Sequence, residues 1–398
     1  MKKRSLDGVL AELHRQHLTR RRTTVDGFAE PGSRLVTAVG GRTLVDFSSN
    51  DYLGLAHHPA VAAAMSECAS RTGAGSGASH LVTGHGIEHE RLEEELAAFT
   101  GRERALLFST GYMANLGVIA ALADRGEWVL LDRLSHASII DGTLLSGARF
   151  KRYAHADADA VDRILSDNSG ESVLVATDGV FSMDGDVAPL ARLAKAARTH
   201  SAWLVVDDAH GIGVLGKTGR GATEELSPED VPVLVGTLGK AFGSFGAFVA
   251  GSRDLIEFLI QKARSYIYTT ALPQPVAAAT RKALEISQRE SWRRERVLSL
   301  TARFRKGARE AGLPLMDSNT PIQPLLLGSS ESALQAQAEL LAAGFRVVAI
   351  RAPTVAKGSE RLRITLSAAH TEEQVDALVA RLAQIQLVRS DNRMGFAE

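Results

Sequence analysis

Three apolar runs in this 398-residue chain end in residues that can do chemistry. Trp203-Leu-Val-Val-Asp207-Asp208-Ala-His210 delivers two carboxylates and an imidazole to one place. Val233-Leu-Val-Gly-Thr237-Leu-Gly239-Lys240-Ala-Phe-Gly243 delivers a hydroxyl and an amine bracketed by glycines. Leu106-Leu-Phe108-Ser-Thr-Gly111-Tyr112-Met-Ala-Asn115 turns at Gly111 into an apparent helix reaching about Leu122. In open α/β sheets, ligands bind beyond the carboxyl ends of the strands. Glycine beside Lys240 lets a bulky ligand approach the backbone. A lysine carried by a buried strand is costly unless it is paired or chemically used. Asp-Asp alone could equally be a cap or a turn. The helix opening at Gly111 presents free amides and the positive end of its dipole, a seat for phosphate.

Together these residues supply what pyridoxal 5'-phosphate (PLP) needs. Lys240 would form an imine with its aldehyde. Asp207 would pair with the pyridinium nitrogen and keep it protonated, so that the ring accepts electrons from a carbanion. Gly111, Tyr112 and the Thr237 hydroxyl would hold the phosphate. Asp132-Arg-Leu-Ser-His136 follows another apolar run, and the His136 imidazole could stack on the ring. Ser182, in Val180-Phe-Ser-Met-Asp-Gly185, offers a hydroxyl near the ring's polar edge, and His210 could bond its O3′. A neutral Lys240 amine would then serve as base for an amino acid's α-proton, with His136 a candidate for later proton steps. Burial and a nearby cation would favour that neutral form.

The elements that must position these groups read as an α/β fold. Apolar runs at 105–108, 128–131, 173–176, 203–206, 233–235 and 247–250 alternate with helical or loop stretches. Short, near-continuous apolar strands predict a mostly parallel sheet with helices on both faces. An amphipathic helix is expected over 1–22, followed by Gly40-Gly41 and an extended 44–47. A helical stretch over about 274–312 leads to strands at 322–327 and 361–366, a smaller α+β C-terminal domain. Expected boundaries are 1–50 for the N-terminal helix and arm, 51–285 for the large domain, 286–388 for the small one, and a frayed tail over 389–398.

Composition narrows the classes of function. Lys+Arg and Asp+Glu are both 46, and no basic excess favours nucleic acid or a membrane surface. The lone cysteine, Cys68, excludes an internal disulfide framework and a multi-cysteine zinc site. With no apolar leader after Met1-Lys-Lys-Arg4 and no long apolar span, a cytoplasmic protein is expected. Gly211-Ile-Gly-Val-Leu-Gly-Lys-Thr218 fits both the dinucleotide and the P-loop patterns. Its last glycine should open a helix, yet the chain continues Gly219-Arg-Gly221, so the reading is a glycine-rich loop. His85 and His89 at i,i+4 lack a third metal ligand at a recognisable spacing, and no metal site is expected. Arg20-Arg21-Arg22 is either a solvated helix end or a site for anionic groups.

The chain resembles the α-oxoamine synthases, fold-type-I PLP enzymes with the aspartate aminotransferase-like fold, over about residues 15 to 385. The likeness rests on Phe47-Ser-Ser-Asn-Asp-Tyr-Leu-Gly-Leu55, Ser182-Met-Asp-Gly185, Asp207-Asp-Ala-His210 and Thr237-Leu-Gly-Lys240. Gly77-Ala-Ser-His-Leu-Val-Thr-Gly84, Ile350-Arg-Ala-Pro-Thr354 and Arg361-Leu-Arg-Ile-Thr365 are similar to the biotin branch, although His80 stands where arginine is common. The resemblance implies decarboxylative condensation of L-alanine with a pimeloyl thioester, on acyl-carrier protein or coenzyme A. It implies a homodimer with active sites at the interface, where Thr269 or Thr270 reaches the neighbour's phosphate. It also implies substrate contacts from Arg20 or its arginine neighbours, from Asn50, His136 and Thr354, and a carboxylate clamp from Arg363, whose planar fork suits two oxygens.

Overall fold

A computed structural model describes residues 5–16, 18–20, 22–30, 33–168 and 170–385. Met1–Arg4, Arg21 and the tail expected after residue 388 lie outside them. The strands in chain order are β1 (Gly27–Glu30), β2 (Ser33–Val39), β3 (Arg42–Asp46), β4 (Arg104–Phe108), β5 (Trp128–Asp132), β6 (Arg149–Tyr153) and β7 (Val173–Asp178). There follow β8 (Trp203–Asp207), β9 (Val233–Thr237), β10 (Ala247–Gly251), β11 (Ile322–Leu326), β12 (Phe345–Arg346), β13 (Val348–Ile350) and β14 (Arg361–Thr365).

The described residues fall into two compact units, one drawn from 50–182 and 186–297, the other from 5–49, 183–185 and 298–385. The first is built on a seven-stranded sheet in the order β4-β10-β9-β8-β7-β5-β6. Among the described residues β10 alone runs opposite to the other six strands, pairing antiparallel with β4 and β9. The α/β, mostly parallel expectation holds. Successive strand residues face opposite sides. Leu106, Phe108, Val129, Leu131, Val205 and Val249 pack with Val118 and Ile119 of the helix Gly111–Leu122 and Leu255 and Leu259 of Arg253–Lys262. Leu130, Val173, Val175, Leu204 and Val206 pack on the other side with Val161 and Leu193 of the helices Ala158–Asp167 and Leu190–Thr199. Both faces are thus sealed, and truncating a fully buried leucine such as Leu131 to alanine would cost about 2–5 kcal/mol.

The second unit carries two small sheets, β1-β2-β3-β12 and β11-β14-β13. Arg303 joins its helices, reaching Asp376 at 2.7 Å and Glu372 at 2.6 Å. The expected helices are shorter than their patterns. The first spans Leu6–Arg15 between Ser5 and Gln16 caps, not 1–22. The stretch over 274–312 is two helices, Gln274–Arg289 and Trp292–Glu310. They part at Glu290-Ser291, where the serine hydroxyl donates to Glu295 Oε1 at 3.2 Å. No helix among the described residues is long and apolar enough to cross a membrane.

Candidate active site

The carboxyl ends of β7, β8 and β9 converge on one polar cluster. Asp207 closes β8, buried, and takes hydrogen bonds from Asn115 Nδ2 at 2.6 Å and the Ala209 amide at 3.0 Å. Lys240 sits in the loop between β9 and β10, half-buried, with Nζ 2.9 Å from His210 Nε2. Buried Tyr52 donates its hydroxyl to Asn50 Oδ1 at 3.2 Å and stands 2.7 Å from His210 Nδ1.

His136 caps the helix Ala137–Ser146, its Nδ1 accepting from the Ser138 amide at 3.3 Å. The His136 amide donates to Asp178 Oδ2, at the end of β7, at 3.0 Å. Burial, together with the Lys240 cation, presses the imidazole's pKa below its usual 6.5, and Asp207 offsets only part of this. Asp178 is fully enclosed; burial first, then the neighbouring Asp207 charge, hold its pKa well above the usual carboxyl range. Charges of Asp207 and Lys240 therefore act on the same two groups.

Thr110 caps the helix Gly111–Leu122 by accepting from the Met113 amide at 3.2 Å, so the amides of Gly111 and Tyr112 start it. The first amides of a helix have no intrahelical acceptor. A Cβ built on Gly111 meets nothing within 4 Å, so the space before them is open. Thr237 Oγ1, at the end of β9, donates to the Gly246 carbonyl at 3.1 Å. Ser182 is half-buried beyond Val180. An amine, a carboxylate, a flanking imidazole and an open amide seat suit PLP.

Thr270 is exposed. Arg20, Thr354 and Arg363 belong to the other unit. There Arg20 Nη2 reaches Thr354 Oγ1 at 3.4 Å, in the wall of a ≈ 660 Å³ cavity shared with Leu341, Val348, Ile350 and Arg351. Arg363 is buried in β14, opposite Pro324 and Val348. Tyr52, Asn115, Ser138 and Asp178 escaped the sequence reading. Asp178 could have been found, because it ends an apolar strand as Asp207 does.

The glycine loop that mimics a P-loop is filled by its own chain. Glu224 accepts from the Thr218 amide at 2.9 and 3.0 Å, its hydroxyl at 3.1 Å and the Arg220 amide at 3.1 Å. A carboxylate stands where a phosphate would bind. Of the histidines, His80 joins His85 and His89, with ring nitrogens all within 4.8 Å, a third member the sequence spacing hid. Their ring nitrogens are engaged: His80 and His85 meet at 2.9 Å, His85 reaches Glu90 at 3.1 Å, and His89 bonds the Gly86 amide and the Leu272 carbonyl.

The sequence profile of the aminotransferase class I and II family matches residues 42–382. An 8-amino-7-oxononanoate synthase from Cellvibrio japonicus is 57% identical over 383 residues, 96% of this chain and 95% of the relative. A serine palmitoyltransferase from S. paucimobilis with bound PLP-myriocin aldimine superposes with a TM-score of 0.90 at 31% identity, covering 96% of this chain and 98% of that one. An 8-amino-7-oxononanoate synthase structure from Francisella tularensis gives 0.75 at 32%, covering 85% and 97%.

Proposed function

The chain belongs to the 8-amino-7-oxononanoate synthases, PLP-dependent acyltransferases of biotin biosynthesis within the aminotransferase class I and II family, and from that premise we propose that it condenses L-alanine with a pimeloyl thioester. Products are 8-amino-7-oxononanoate, carbon dioxide and the free thiol carrier, coenzyme A or acyl-carrier protein. The observation carrying the proposal is the Lys240 amine at the same strand edge as Asp207 and His136. When bound, PLP supplies an electron sink for the amino acid's α-carbon. Lys240 holds the cofactor and takes the α-proton on Nζ. Asp207 keeps a positive charge on the ring nitrogen by facing it with a carboxylate. His136, its pKa held below the usual 6.5 by burial, would cover the ring and donate from its imidazole. Gly111, Tyr112 and Thr237 hold the phosphate, and Ser182 and His210 the ring's oxygen edge. Arg363 takes the amino acid's carboxylate, while Asn50, Arg20 and Thr354 meet the substrate. Working units are homodimers in which exposed Thr270 reaches the phosphate held by a second copy.

Serine palmitoyltransferase superposes better than the Francisella synthase, which favours a second reading, condensation of serine or glycine with another acyl-coenzyme A. Sequence weighs the other way, 57% identity against 31%. Side chains that select a substrate follow sequence more closely than backbone superposition does. Mass spectrometry of products from L-alanine, glycine and serine, each with pimeloyl- and palmitoyl-coenzyme A, decides. The alanine–pimeloyl product should dominate at least tenfold; dominance of a serine or glycine product would overturn the proposal.

A further inference from the structure

Asn115 and Ser138 are fully buried beneath the cluster, and neither faces bulk water. Asn115 Nδ2 donates to Asp207 Oδ2 at 2.6 Å and to Ser138 Oγ at 2.9 Å. Both amide protons are thereby spent. Ser138 Oγ lies 2.7 Å from His136 Nδ1, and the Ser138 amide points at the same nitrogen from 3.3 Å. Four residues from three elements, the end of β8 and the helices Gly111–Leu122 and Ala137–Ser146 with its cap, thus form one connected string.

Donor and acceptor inventory gives the string a single direction. An ionised carboxylate only accepts, so the amide must present its nitrogen to Asp207. Flipping the amide would set Oδ1 against the carboxylate, two acceptors with no proton between them. Asn115 Oδ1 is buried without a hydrogen-bond partner, so this orientation is held by the two donations and not by its oxygen. Ser138 accepts from Asn115, so its own proton turns to His136 Nδ1. At 2.7 Å, against 3.3 Å for the Ser138 amide, the hydroxyl is the nearer donor, so it keeps the proton off Nδ1 and on Nε2.

We propose that Asn115, acting through Ser138, is a positioning residue that ties the negative charge of Asp207 to the Nε2–H tautomer of His136. One amide thereby sets the carboxylate that faces the ring nitrogen and the imidazole that covers the ring. If Asp207 were neutral, the amide could reverse, Ser138 would lose its donor, and His136 Nδ1 could take up the proton. The relay rests on the roles assigned above to Asp207 and His136.

The test uses holoenzyme carrying Asn115→Leu, which keeps the number and branching of side-chain heavy atoms and removes both donors, and Ser138→Ala, which cuts only the second half. Asp207→Asn serves as reference. Nitrogen-15 spectra of labelled histidine should show His136 protonated at Nε2 in the parent protein. The Nδ1–H form should rise to at least a tenth of the population in either variant. The pH titration of the cofactor's visible band should move in Asn115→Leu in the same direction as in Asp207→Asn, and PLP should dissociate at least fivefold more readily. Ser138→Ala should leave that titration in place. A purely structural role would lower the melting temperature of both variants and move neither signal. An unchanged tautomer in both variants, alongside a titration shifted only in Asp207→Asn, would overturn the relay. An unshifted Asp207→Asn would instead overturn the assignment of Asp207 to the ring nitrogen, and with it the relay's link to the cofactor. Should Asn115→Leu fail to fold, Ser138→Ala alone decides, through the tautomer.

Discussion

Lys240 is held in a loop that its own backbone closes: the Gly243 amide donates to its carbonyl at 2.9 Å, and Leu238 and Gly246 bond at 2.9 Å across the base. Main-chain freedom is small there, so the amine's chemistry is in its side chain. Lys240→Ala should lose the anchor and the base together. A positioned base alone contributes about 10²–10⁴-fold, so kcat should fall by more than about 10³; retention of a tenth of the parent rate would exclude the role. Tyr52→Phe removes the partner of His210 Nδ1 but leaves the ring's volume. One neutral hydrogen bond nets about 1 kcal/mol, so kcat should fall about fivefold with little change in melting temperature. No change in steady-state rate would show that the Tyr52–His210 contact does not bear on Lys240. Asp207, Lys240 and Gly111 were legible because each ends or follows an apolar strand. Asn115 and Asp207 lie far apart in sequence and meet only in the folded sheet, so no spacing rule reveals their contact. Tyr52 sits in a turn whose sequence carries no periodicity.

The helix Gly111–Leu122 illustrates how an element can be tuned for a ligand at no cost to the fold. Its first residue has open space around a Cβ position and no positive φ. Valine is a better helix former than glycine by a few tenths of a kcal/mol. Gly111→Val should therefore leave the apoprotein's melting temperature unchanged while raising the dissociation constant for PLP at least tenfold, read by absorbance titration. A loss of stability with PLP affinity intact would contradict the phosphate seat. By contrast, Gly243 has φ +62°, and a Cβ there would come within 2.2 Å of the Ala56 amide nitrogen, so alanine at that site should destabilise the fold itself. Elements with apolar cores were readable from sequence. β6 was not, because only Tyr153 of its five residues is buried; the rest of Arg149–Tyr153 is exposed edge. Nor did β10 reveal its direction, since an apolar run reads the same whichever way the chain travels.

Three groups of the larger unit are held above their usual pKa values. Burial lifts Glu93 to about 8, and Asp208 to about 8 with help from neighbouring Asp207. Burial opposes a charge on His155, yet its hydrogen bonds to Asp132 and Asp186 outweigh this and raise it to about 10. All three have folded pKa values above those of the unfolded chain. Each therefore contributes stability that is complete below the unfolded value and is lost as pH rises through the folded one. The unfolded values lie near 4 for the carboxyls and near 6.5 for histidine. Raising pH from about 6.5 to about 8.5 should thus lower the denaturant midpoint of the apoprotein, followed by tryptophan fluorescence; a rise over that window would refute the sign. The order of the seven strands also dictates when each is safe. Among the described residues β4, at one margin, bonds to no strand except β10, whose sequence lies roughly 140 residues later. A ribosome working at about 5–20 residues per second would expose that greasy ribbon for roughly 7–28 seconds before its mate emerges. Half-made chains are then the form most prone to clump, and a holdase that covers Ala105–Phe108 during translation would do more for yield than any late refolding aid.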